Sequence, residues 1–175
     1  MTLPPAREIV AELRRAIDAT GERTVAPQAE LTSLLLDLHA TNVAQWARED
    51  DARGANASDA DVAAAKRAID DLNRRRHGLI ETLDAALANA LTPSSAAPPV
   101  TESPAMALDR LSVLVIRIHH TAHAGAPEDE RSAARLILLE EQLEVLEQAL
   151  DALVADVRAG RRSFLPYRQL KLYGR

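Results

Sequence analysis

The chain has 175 residues, a formal net charge of -5 and no cysteine, which excludes disulfides, thiolate catalysis and cysteine-ligated zinc or iron–sulfur centres. Basic residues are scattered and the aromatics are few (Trp46, Phe164, Tyr167 and Tyr173), so neither a phosphate-tracking surface nor a base-stacking platform is expected, and nucleic acid is not an expected partner. No stretch reaches the roughly 18 apolar residues of a membrane span, and the N-terminus lacks a basic start followed by an apolar run, so the chain reads as cytoplasmic and as no partner of the membrane.

Arginine outnumbers lysine nineteen to two, a compositional hint of a GC-rich bacterial genome. The expected architecture is all-α: an antiparallel bundle of about five helices in one domain, residues 1–175, whose two halves meet at a Pro/Ser/Ala-rich crossover.

Residues 5–19 put Ile9, Leu13, Ala16 and Ile17 on one face before Gly21 and Pro27 interrupt, which predicts a short packing helix. A first hairpin spans 27–91. Its first helix starts near Pro27 or Gln28, runs to Arg53 and stops at Gly54. Leu31, Leu35 and Leu38 mark the side that faces the core. At about 100° per residue, His39, Asn42, Trp46, Glu49, Asp50 and Arg53 share an arc of about 100° that continues this side. Polar groups are therefore expected to point inward, where counter-charges from other helices or a wet cavity must offset their desolvation.

Ser58 or Asp59 is the expected N-cap of the next helix. There Lys66, Asp70, Asn73, His77, Glu81 and Asp84 share an arc of about 80° beside the apolar face of Val62, Ile69, Leu72, Ile80 and Leu83. This stripe is either a solvated face or the border of a cleft. Residues 92–105 are without periodicity and read as a crossover loop or a lid.

The second hairpin spans 106–159. Its first helix, Met106 to Ala124, is apolar around much of its circumference, while Asp109, Ser112, His119, His120 and His123 gather on one arc. His119 and His123 stand four residues apart, a spacing able to hold a metal, but no third ligand of fixed geometry accompanies them, so no metal site and no cofactor are expected. In the last helix, about Glu128 to Ala159, Leu136, Leu139, Leu143, Leu146, Leu150, Leu153 and Val157 alternate spacings of three and four. That seam is either the spine of the bundle or a homodimer interface. Residues 160–175 form a basic, aromatic-bearing tail that reads as a docking segment.

These segments resemble the bacterial family known as domain of unknown function 4254. The resemblance rests on His39, Asn42, Trp46, Glu49-Asp50 and Ala52-Arg53, then on Lys66 to Asp70, Asn73, Arg75 or Arg76, Ile80-Glu81 and Asp84. It continues through Asp109 to Ser112, Arg117 where a lysine is usual, His120, and Tyr167 to Tyr173. His77-Gly78 departs from the Asn-Asp expected there, and the chain stops at Gly174-Arg175 where the family continues. What the resemblance implies is a helical protein whose relatives accompany genes for glycan or specialised-metabolite assembly.

The first functional expectation is a metal-independent enzyme or small-molecule binder, acting on an anionic or sugar-like metabolite in a pocket between the second, third and fourth helices. In it, His39, Glu49, Asp50, Asp70 and Asp109 supply proton transfer. Asn42, Trp46, Arg53, Lys66, Asn73, His77, Glu81, Arg110, Ser112 and His120 hold the ligand. The alternative is a non-catalytic accessory protein that pairs with itself or docks a pathway enzyme, with the polar groups paired to each other and an apolar patch outside.

Overall fold

The computed structural model describes residues 3–18, 30–53, 58–124 and 130–170. Five helices follow one another: α1 (Ala6–Asp18), α2 (Glu30–Ala52), α3 (Asp59–Leu91), α4 (Pro104–Ala124) and α5 (Glu130–Arg158). No strand occurs among the described residues, and no helix there is long and apolar enough to cross a membrane. Gly21, Pro27 and Gly54, expected to break helices, lie outside the described residues, as do Lys171 to Arg175 of the tail.

Helix ends follow local chemistry. Ser58 caps α3 in a reciprocal box with Asp61, and Thr92 closes it in the left-handed region at φ 47, just before Pro93. α4 begins at Pro104 rather than at Met106. A proline at the first helical position loses no hydrogen bond, and Ser103 before it takes the Met106 amide on its hydroxyl at 3.4 Å.

α4 touches every other helix. Its sequence explains the placement: Leu108, Leu111, Leu114, Val115, Ile116 and Ile118 are all buried, and a helix that is apolar nearly all round is stable only when surrounded. α2 and α3 pack along one another as a hairpin. Leu38, Leu83, Leu87, Leu143 and Leu150 complete a shared core with Leu13 of α1.

The leucine seam of α5 belongs to that core. Leu139, Leu143, Leu150 and Val157 are buried, and Leu136, Leu146 and Leu153 pack against them. These leucines pack α5 onto its own bundle, three of them with part of their surface still open. A different line, Ile137, Leu138 and Val145, faces outward.

The crossover after Thr92 is stapled to the chain beyond α5. Val100 N donates to Ser163 O at 2.9 Å, Ser163 N to Pro98 O at 3.0 Å, and the Ser163 hydroxyl to Ala97 O at 2.8 Å. Phe164 inserts into the core beside this contact.

Candidate functional site

The inner stripe of α2 meets α4 and α3 in a chain of hydrogen bonds. His39 Nδ1 lies 2.8 Å from Ser112 Oγ, and the Asn42 amide donates to Ser112 Oγ at 3.0 Å and to Asp109 Oδ1 at 3.1 Å. Asp109 also receives Arg76 side-on, Nε at 2.8 Å on Oδ1 and Nη2 on Oδ2. His39, Asn42, Asp109 and Ser112 are all buried, whereas a quarter of the Arg76 side chain meets solvent. The bond to Asp109, opposed by burial, raises the Arg76 pKa, so the guanidinium is a fixed cation. Three helices are thus tied by one polar thread that opens to solvent at Arg76.

The remaining expected residues are not gathered into a common hollow. Glu49 and Asp50 turn to Arg53 one turn along the same helix, at 3.1 and 3.7 Å, with half or more of the Asp50 and Arg53 side chains in water. Lys66 and Asp70 are exposed and Asn73 is half-buried. The cause is geometric: from Ser58 to Ala64 every residue of the α3 start is exposed, so the outer part of the second stripe packs against no other described helix there. Arg110 reaches Glu102 across the helix start at 2.7 Å. Trp46 and His120 stack face to face, ring centroids 4.9 Å apart, and burial followed by the neighbouring His119 lowers the His120 pKa. His123 Nδ1 contacts the His119 carbonyl at 2.7 Å, and among the described residues no three His, Asp or Glu side chains stand together as a metal site.

A second buried group escaped the sequence reading of function. Asp84, with no solvent contact, accepts the Ala105 amide at 2.9 Å and the Tyr167 amide at 2.8 Å, and bonds the Ser103 hydroxyl. Burial pushes its carboxyl above the ordinary 3.8 while these donors pull it back. Beside it the Tyr167 hydroxyl shares a hydrogen bond with His77 Nδ1 at 3.0 Å, and Glu81 accepts the Gln169 amide. His77 and Glu81, expected to hold a ligand, hold the tail.

An open groove of about 760 Å³ lies on the far side of Arg76, between α4 and α5. Arg76, Arg110 and Arg117 form one wall, and Leu138, Val145, Leu146 and Ala149 form the other together with Glu141 and Gln142. Arg117 makes no ion pair among the described residues. None of His39, Glu49, Asp50, Asp70 or Asp109 lines it.

The fold and site define an all-helical bundle braced by buried polar contacts, with a cationic, apolar-sided cleft on its surface. The chain belongs to the family described as protein of unknown function (DUF4254), whose profile matches residues 32–165 and so takes in α2 to α5. No curated protein and no solved structure matches it.

Proposed function

We propose that this is a non-catalytic docking protein that seats an acidic amphipathic helix in the arginine-walled groove between α4 and α5. The observation that carries the reading is the groove itself: three arginines face an apolar wall whose Leu138 and Val145 are 53% and 66% exposed. A small ligand is ordinarily buried over most of its surface, and walls this open would leave it in water along one side. A helix, by contrast, lays a whole apolar face on such a wall. From Leu138 to Ala149 α5 rises about 16 Å, room for about three turns of a partner helix.

The polar thread supports the reading from behind. Its hydrogen bonds run from His39 Nδ1 and the Asn42 amide through Ser112 and Asp109 to Arg76, holding α2, α3 and α4 in register and fixing Arg76 at the groove's rim, while Asn42 Oδ1 stays buried without a hydrogen-bond partner among the described residues. A proton-transfer site needs such groups at the edge of a substrate cavity, and here His39 is 1% exposed.

A labelled synthetic helix, with leucines along one face and glutamates beside them, tests this by fluorescence anisotropy at protein concentrations of about 1 µM. The expected result is saturable binding that Arg117→Glu and Val145→Asp each weaken at least about tenfold while melting stays unchanged, since both side chains are exposed. Absence of saturable binding by a chain that is monomeric, or indifference to both substitutions, refutes it. On the competing catalytic reading His39→Ala leaves stability intact; here it costs more than about 2 kcal/mol.

A further inference from the structure

We propose that the helix seated in this groove is α5 of a second copy of the chain, the two α5 helices running parallel about a twofold axis; the proposal rests on the docking reading above. α5 carries two lines with heptad spacing. One is the core seam of Leu139, Leu143, Leu146 and Leu150, buried except for the half-buried Leu146, and the other is Leu138, Gln142, Val145 and Ala149, all exposed along the edge of the groove. A line of this spacing buries itself best against its own copy, and a single polar residue within it, Gln142, fixes register.

Charge selects both the occupant and its direction. The arginine wall stands on the α4 side of the outward line. Glu141 and Glu144, both exposed, lie on its other side, about 60° and about 120° around the helix from Leu138. A half-turn about an axis along the helices brings the acidic flank of each copy over Arg110 and Arg117 of the other. It also carries Ile137, 61% exposed, toward the partner's α4. An antiparallel pair would set arginine wall against arginine wall instead. Parallel pairing therefore joins opposite charges twice and covers the exposed apolar residues of α5 in one interface.

The native chain has no cysteine, which makes single-cysteine cross-linking unambiguous. Light scattering and sedimentation up to about 100 µM are expected to show a doubled mass. Leu138→Cys and Val145→Cys each form a disulfide with their own copy under mild oxidation, because a parallel twofold places like residues together, while the exposed control Ser95→Cys does not. Arg117→Glu and Glu141→Arg each weaken association at least about tenfold, and the double variant restores it. A monomer at the highest concentration overturns the proposal, as does a dimer that fails to cross-link at both 138 and 145 or that ignores the charge reversals. Binding of the synthetic acidic helix by a monomeric chain overturns this proposal alone, whereas failure of both experiments removes the docking reading as well.

Discussion

Replacing Asp109 by alanine removes a carboxylate that accepts one hydrogen bond from Asn42 and two from Arg76. The Asn42 amide keeps its bond to Ser112, so the loss falls mainly on the guanidinium. Breaking a buried pair costs about 3 to 5 kcal/mol when the surviving charge has no access to water. A quarter of the Arg76 side chain is exposed at the groove's rim, so hydration recovers part of this and the expected loss is about 3 kcal/mol. For a chain of this size each kcal/mol moves the melting temperature by about 2 to 4 °C, which predicts a fall of about 6 to 12 °C. Urea denaturation followed by circular dichroism measures the loss directly. The double-mutant cycle with Arg76→Ala isolates the pair, with an expected coupling above about 1.5 kcal/mol. A loss below about 1 kcal/mol, with additive single effects, would show that the polar thread does not brace the three helices.

Other perturbations follow from the same geometry. Asp84→Asn turns an amide donor toward the Ala105 or Tyr167 N–H and is expected to cost about 2 kcal/mol in denaturant titration, with amide exchange faster at both residues. Gly78 sits inside α3 with open space where a Cβ would be, so Gly78→Ala is expected to raise stability by about 0.5 to 1 kcal/mol; a loss would expose a neighbour that the geometry does not contain. Because the folded pKa of His120 lies below its ordinary 6.5, the stability this residue contributes is present above that value and is lost as the pH falls through the folded pKa. Trp46, the only tryptophan, stacks on His120, so its fluorescence should titrate with a midpoint below 6.5. The signal should vanish in His120→Gln, and a midpoint at or above 6.5 contradicts the burial of the ring.

The helices were legible because hydrophobic spacing and caps agree along the chain. The leucines of α2 and α5 show which side is inside, and Ser58 marks where α3 starts. The inward turn of His39, Asn42, Asp109 and Ser112 was equally readable, since each continues an apolar line. Periodicity could not show whether such groups face a hollow or one another. Asp70 and Lys66 share the arc of Asp84 but are exposed where Asp84 is buried, a tertiary fact absent from the helix's own pattern. For Arg76 the sequence holds a local signal beyond the resemblance: it falls in the line Leu72, Arg76, Ile80, Leu83, Leu87, where a charge needs a partner across the interface. Asp84 sits likewise between Ile80, Leu87 and Leu91. The groove was illegible because it depends on how far α4 and α5 stand apart.

Asp84 ties the middle of the sequence to residues that follow α5, the last described helix. During synthesis, at about 5 to 20 residues per second, α3 and α4 leave the ribosome well before Tyr167 can reach that carboxylate. Closure of this side of the molecule is therefore a late event. Until Tyr167 arrives, the Asp84 carboxylate lacks one of the two backbone amides that offset its burial.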